Sequence, residues 1–477
     1  MSSVPVPGPG AGAAAGLVTR SFVALGAGEL LARLIGFGGT IFIARQLGVE
    51  MYGVVGFAIA VTLYLAGIVD AGLEQHGPHE IAEARLPAAD MIASVLLARS
   101  AIAIVLAVVL VTGGLLGPRP EGLVVAVFAL TLLPAGAQTR WAHFGLDNGA
   151  AVARVRIVTE LIRVGALLAF VRGPGDVIAI PLAQFACDAI AAVWLMLELR
   201  SSGIVLRPRF DAAMAAAVLR RAAPLLGTHL LALAIYNADV IFLRVFRDVS
   251  EVGLYLAAYT LITFLGSLGN LVTVSLVPSL SRLRADAATA TDLAHTALAR
   301  VLVVGLPIAV GGALLAPRII AFVFRAEYAA AGPVLAILIW SIPVLLARSV
   351  FMALLISRGR HGLVLRMTGI AAGLSVGTNL IAVPLFGMTG AAATTLLAET
   401  ARLAAGRMYV AREGIPATPL VRYARTAVAA AAMGGMLIAL PGLPLAIAIA
   451  AGALVFFTTL TVTGGIRLSG GRLSLSI

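Results

Sequence analysis

Long apolar runs alternate with short polar breaks along this chain. A helix needs about 20 apolar residues to cross a bilayer core of roughly 30 Å. The pattern predicts fourteen spanning helices, at 22–44, 51–73, 91–115, 121–140, 155–171, 177–198, 222–246, 252–278, 300–324, 332–356, 364–384, 388–406, 424–440 and 445–464. The breaks are short, as in Pro441-Gly442-Leu443-Pro444 between the last two runs. No break is long enough for an extramembrane catalytic domain. The expected class is therefore an all-α integral membrane protein that is not an enzyme, with no catalytic residues to assign.

Two stretches of the pattern match each other at an offset of 200. Arg20 pairs with Arg220, Leu25 with Leu225, Leu30-Leu31-Ala32 with Leu230-Leu231-Ala232, and Ile35 with Ile235. Ile41-Phe42 pairs with Ile241-Phe242, Val49 with Val249, Gly53 with Gly253, and Ala58 with Ala258. Six spans separate the copies, and an even number leaves both pointing the same way through the membrane. A parallel repeat of this kind predicts two six-helix lobes about an axis along the membrane normal, around a central cavity, as in transporters. The expected divisions are a disordered leader at 1–16, an N-terminal lobe at 17–200, a linker at 201–221, a C-terminal lobe at 222–412, and two additional spans with a short tail at 413–477. The leader lacks the charged start and apolar core of a cleaved signal peptide.

Composition agrees with the pattern. The chain is 61% hydrophobic and 12% charged, where a soluble domain averages about 45–50% apolar and about 25% charged. All 34 basic residues are arginine. With the N-terminus placed in the cytoplasm, 23 arginines fall on that side and 7 on the other. By the excess of cytoplasmic basic residues this predicts a multi-pass protein with both termini cytoplasmic. The net charge of +12 then reads as topology, and nucleic acid is not an expected partner. Without lysine there is no phosphate-cradling Gly-Lys-Ser/Thr loop, which excludes ATP hydrolysis by that device. The single cysteine, Cys187, excludes an intrachain disulfide.

Four arginines, Arg33, Arg99, Arg163 and Arg348, fall inside predicted spans, where a charge costs roughly 2.5–3.5 kcal/mol on insertion scales. Each therefore needs a partner or a wet cavity. Arg99 and Arg348 stand among apolar residues with no acid close in sequence, and a guanidinium fork suits an anionic headgroup. Buried acids on other helices are the competing explanation for both. Glu29 and Arg33 lie four apart on one helix face, and Glu29 corresponds to His229 in the second copy; both can change charge, so either could couple ions to transport. Arg156, Glu160 and Arg163 form one stripe, with Arg156 at the headgroups. Asn237 and Asp239, two apart, do not share a face; one caps or bends the helix while the other reaches a lumen. Asp70, Asp188 and Glu399 read as span-end structural residues. His76 and His79, among Glu74, Glu80 and Glu83, read as a solvated polar loop, and no metal site is assigned. Trp141, Tyr255, Tyr259 and Trp340 read as packing or interface aromatics.

Three motifs carry a family resemblance. Leu47-Gly48 to Tyr52-Gly53 with Asp70-Ala71-Gly72-Leu73, Asn237-Ala238-Asp239 with Val252-Gly253-Leu254-Tyr255, and Asn379…Pro384…Gly387…Gly390-Ala391-Ala392 resemble, in order and spacing, the bacterial polysaccharide-repeat flippases. These belong to the superfamily of multidrug and oligosaccharidyl-lipid exporters, and the likeness runs over roughly residues 20–412. It implies a substrate of undecaprenyl-pyrophosphate-linked oligosaccharide, a precursor of cell-surface polysaccharide, moved from the inner to the outer leaflet of the bacterial cytoplasmic membrane by alternating access.

On that reading Arg33, Arg99, Arg163 and Arg348 are the positions able to meet the pyrophosphate. Glu29, His229 and Asp239 are ion-coupling candidates, and Asn237 and Glu160 are polar cavity residues. No cofactor is implied; coupling to protons, sodium or membrane potential stays open. Membrane lipids, a polysaccharide polymerase and glycosyltransferases are the partners it suggests. The alternatives are an ion-coupled drug or small-molecule extruder of the same superfamily, and a lipid II flippase, which shares the extra pair of spans.

Overall fold

The structure, a computed structural model, describes residues 11–82, 88–206, 210–284, 286–416, 421–469 and 472–475; side chains at 11–32, 82, 88, 236, 421–422 and 466–475 are outside that description. Helix follows apolar sequence almost throughout. The elements are α1 (Ala11–Asp70), α2 (Leu73–Ala82), α3 (Ala88–Leu116), α4 (Glu121–Ala129), α5 (Leu132–Gly136), α6 (Arg140–Gly145), α7 (Gly149–Phe170), α8 (Ala179–Ser201), α9 (Ala212–Phe246), α10 (Val249–Arg282), α11 (Ala287–Leu314), α12 (Ala316–Phe324), α13 (Gly332–Leu338), α14 (Ser341–Ser357), α15 (His361–Arg412), α16 (Val421–Ala439) and α17 (Leu445–Val462). A short antiparallel hairpin, Ile466–Ser469 with Arg472–Leu475, follows α17.

The 60 residues of α1 would run about 90 Å as a straight helix, three times a bilayer core. The helix breaks at Gly48 (φ 72°, ψ 175°), and α15 breaks at Gly387 (φ 56°, ψ −137°). Both backbones lie in the region that a Cβ disfavours, so each long helix becomes two spans. Among the described residues, ten helical segments are long and apolar enough to cross a membrane. Counting the two breaks and the shorter apolar helices, the protein is an all-α membrane protein of about fourteen spans.

Several predicted ends move. α1 begins at Ala11, within the expected leader, and residues 1–10 lie outside the described residues. The fourth run is three short helices, α4 to α6; Pro134 has no N–H to continue the ladder there. α11 starts at Ala287 rather than 300 and ends before Pro317, which opens α12. The inter-lobe segment from Ala212 to Arg221 is the first part of α9 itself. His76 and His79 lie on α2, not in a loop.

The chain forms two compact units. One comprises Met1–Leu47 with Val61–Gly227, the other Gly48–Ala60 with Thr228–Ile477. In the first, Leu73, Ile92, Val95, Trp141, Leu199 and Val218 form an apolar core. In the second, one core joins α11, α14 and α15 through Leu298, Val350, Leu354, Met367 and Tyr409. Another joins α16 and α17 to α11 through Val303, Met433, Leu437 and Phe456.

The start of the second half of α1 belongs to the second unit because it packs on α10. Tyr52 Oη and Thr260 Oγ1 are 3.0 Å apart. Gly53 and Gly253 approach reciprocally: a side chain at Gly53 would overlap the Val249 carbonyl, and one at Gly253 would overlap the Val49 carbonyl. Small residues let helix backbones come this close inside a membrane.

Candidate functional site

In the first unit, α7 carries Glu160 and Arg163 one turn apart, which places them on the same face. Arg163 engages Glu160 through both carboxylate oxygens, Nη2 to Oε1 at 2.5 Å and Nε to Oε2 at 3.1 Å. The pair is partly exposed, 18% and 22%. It lies against Gly36 of α1, where any side chain would crowd Glu160 Oε1. Arg33, one turn earlier on α1, is exposed. On α8, Gln184 donates to Asp188 Oδ2 at 2.9 Å, and that carboxylate is within electrostatic reach of Arg163 and Glu160. Three helices thus bring Arg33, Glu160, Arg163, Gln184 and Asp188 into one membrane-embedded polar patch.

Asp188 corrects the sequence reading: it is mid-way along α8 (Ala179–Ser201), not near an end. Counting residues from Ala179 would have shown this; Gln184, one turn before it, went unweighed for the same reason.

Arg99 is not isolated. Only 3% exposed, it donates from Nε to the Val69 carbonyl, from Nη1 to that of Gln138 and from Nη2 to that of Ala135, all at 3.0 Å, and from Nη2 to Asp70 Oδ1 at 3.5 Å. Its fork ties the C-terminal end of α1 to the turn after α5, satisfying carbonyls that a helix end leaves open. Sequence distance hid these acceptors, 29 to 39 residues away.

Arg348 is not isolated either. In the second unit its Nε donates to Glu399 Oε2 at 3.0 Å, and Arg402 Nη1 donates to Glu399 Oε1 at 2.8 Å. All three side chains are 7% exposed or less. Glu399 and Arg402 are therefore buried inside the second unit, with Glu399 midway along the second half of α15, where the sequence reading placed it at a span end.

Asp239 of α9 is fully buried. Its Oδ2 accepts from the hydroxyls of Tyr255 on α10 and Thr395 on α15, the latter at 2.8 Å. Oδ1 is buried with no hydrogen-bond partner among the described residues. A carboxylate desolvated this way is costly unless it carries a proton or faces a cation. Beside it on α15, Thr394 donates to Asn379 Oδ1 at 2.8 Å. Tyr255 is thus more than a packing aromatic, and no sequence signal marked Thr395. Asn237 and His229 are half-buried on α9. The side chain of Glu29 lies outside the described residues, so its pairing with His229 does too. Among the described residues no group of three or more His, Cys, Asp or Glu could hold a metal ion. His76 bonds Glu80 at 2.8 Å, and Glu80 also pairs with Arg221 at 2.8 Å.

The sequence profile of polysaccharide biosynthesis proteins matches residues 18–284, more than half of the chain. The chain belongs to that family. No curated protein matches it. Among solved structures, a lipid II flippase, MurJ, in an inward closed conformation aligns over 92% of this chain and 98% of its own, with 13% identity and a TM-score of 0.77. An inward-facing multidrug-resistance MATE family transporter of the MOP superfamily covers 81% of this chain and 96% of its own, at 15% identity and a TM-score of 0.60. The MATE multidrug transporter DinF-BH gives 16% identity over 81% of this chain and 93% of its own, with a TM-score of 0.55. These likenesses establish a fold that the flippase and the multidrug transporters share. This member of the polysaccharide biosynthesis family is a multi-pass membrane protein whose fold is shared with transporters.

Proposed function

We propose that this protein is a flippase that moves an undecaprenyl-pyrophosphate-linked oligosaccharide from the inner to the outer leaflet of the bacterial cytoplasmic membrane by alternating access, without catalysing a covalent step. The observation that carries the reading is the family match over residues 18–284 on a transporter fold. The polar patch of the first unit supplies the chemistry. Arg33 and Arg163 are its cations, and a guanidinium presents paired donors to phosphate oxygens. Glu160 holds Arg163 until an anion competes for it. Arg99 and Arg348 act differently: their forks are engaged by internal acceptors, so they position helices instead of meeting substrate.

Asp239, in the second unit, is the coupling residue on this reading. Loading its orphan oxygen with a proton or a monovalent cation would change the charge of a buried site joining α9, α10 and α15. Both termini are cytoplasmic, and the polymerase and glycosyltransferases of the same polysaccharide are the expected partners.

Ion-coupled extrusion of a cationic small molecule is the second reading. Glu160, Asp188 and Asp239 favour it, since mid-membrane acids attract cations.

One experiment separates the two. In a deletion strain, lipid-linked oligosaccharide is resolved by leaflet. Build-up on the cytoplasmic leaflet, relieved by wild type but not by Arg33→Ala/Arg163→Ala, supports the flippase. Normal leaflet distribution with heightened sensitivity to cationic drugs supports the extruder and overturns the flippase.

A further inference from the structure

The second unit holds a cavity of about 710 Å³ between α11, α14, α15 and the start of α16. Its walls are apolar for most of their length, including Leu298, Leu302, Val344, Phe351 and Leu403. Along α14 it extends from Trp340 to Leu354, about 21 Å at the helical rise. That exceeds the depth of one leaflet, roughly half of a 30 Å core.

Apart from Thr400 and the Trp340 indole, its polar groups gather at one end. His295, Arg407 and Tyr423 line it there, at the end where Arg358, Arg360 and Arg412 also lie close in sequence to lining residues. His295 Nε2 donates to the Pro416 carbonyl at 3.2 Å. Arg407 Nη1 is buried and has no hydrogen-bond partner among the described residues. A buried guanidinium nitrogen without an acceptor is unfavourable. An apolar tube closed at one end by such a nitrogen complements a molecule with an anionic oxygen on a hydrocarbon chain.

We propose that this groove is a resident site for an anionic glycerophospholipid. The phosphate oxygens accept from Arg407 Nη1, and one acyl chain lies along α14 toward Trp340. The second chain remains in the bilayer. The dimensions favour this occupant over the polyprenyl tail of a transported lipid, because a tail several times longer than an acyl chain would overrun a 21 Å groove. Basic pockets between membrane helices at a leaflet surface suit anionic headgroups. The groove belongs to the second unit and shares no residue with the polar patch of α1, α7 and α8, so the proposal does not rest on the role given to that patch.

Trp340, 40% exposed at the far end of the groove, is a built-in reporter. The full chain is reconstituted with phosphatidylglycerol or phosphatidylcholine brominated near the chain ends, and the Trp340 signal is taken as the difference from Trp340→Phe. Phosphatidylglycerol should quench it with about a fivefold preference, as one lipid–arginine attraction implies. Arg407→Gln should bring the preference to about one, while Arg407→Lys retains most of it. Ala404→Phe, which fills the groove, should remove the quenching by both lipids; this holds as a check if Arg407→Gln does not fold. Equal quenching in wild type, or a preference that survives Arg407→Gln, overturns the proposal. Displacement of the brominated lipid by one undecaprenyl phosphate per protein also overturns it, assigning the groove to the transported lipid.

Discussion

Arg348 on α14 and Glu399 on α15 form an ion pair at 3.0 Å in the interior of the second unit, and Arg402 completes it from the other carboxylate oxygen. Removing one member of such a buried set leaves uncompensated charge, which costs about 3–5 kcal/mol. Glu399→Gln removes the negative charge that both arginines share and is expected to be the most destabilising change of the three. Arg99→Ala, which takes a donor from three carbonyls, should also lower stability. Arg33→Ala and Arg163→Ala should leave thermal unfolding in detergent nearly unchanged and instead reduce transport per folded molecule. Measuring both quantities for all four variants distinguishes positioning arginines from headgroup arginines; the reverse pattern would refute the assignment.

Asp239→Asn preserves the shape of the buried cluster and an oxygen able to accept from Tyr255 and Thr395. Its effect on stability should stay within about 1 kcal/mol. Transport in proteoliposomes should lose its dependence on an imposed proton or sodium gradient. Retention of that dependence would move the coupling role to another residue.

Gly48 and Gly387 both have positive φ, and alanine there costs roughly 1–3 kcal/mol of backbone strain. Their surroundings differ. At Gly48 the nearest atom to an added methyl is Glu327 Oε2 at 3.9 Å. At Gly387 it would overlap the Glu251 carboxylate, which accepts from the Met388 amide at 2.9 Å. Gly387→Ala should therefore lower the unfolding temperature more than Gly48→Ala does.

Asp286 caps α11, accepting from the Thr289 amide at 3.0 Å and the Thr289 hydroxyl at 2.6 Å. These bonds hold its carboxyl below the usual carboxylate range. Because the folded state favours the charged form, the cap contributes fully above the unfolded value and is lost as pH falls through the folded one, below about 4. Hydrogen exchange in the first turn of α11, corrected for intrinsic rates, should accelerate there in wild type. Asp286→Asn should show no such step.

Span existence was legible because a bilayer demands apolar length, and fourteen runs announced it. Helix ends were less so. α11 continues through Ala287–Thr296 because the cap at Asp286 and burial of Ala290 and Ala294 support helix beyond the apolar run. Charge placement failed in a consistent way. Arg99 and Arg348 looked alone because their acceptors are brought to them by other helices, and backbone carbonyls leave no trace in composition. Glu399 was misplaced for a simpler reason: α15 runs on to Arg412, which puts that acid in the middle of its span. Asp239 was legible as a membrane acid, but its partners Tyr255 and Thr395, 16 and 156 residues away, required the fold.

The approach of Gly53 and Gly253 is reciprocal in sequence as well as in space. Position 53 meets residue 249 while position 253 meets residue 49, so the contact is self-complementary under an exchange of 200 in residue number. Such symmetry is the mark of an isologous interface between identical subunits. Neither glycine can therefore be enlarged alone: a methyl at either position runs into a backbone carbonyl one turn before the other.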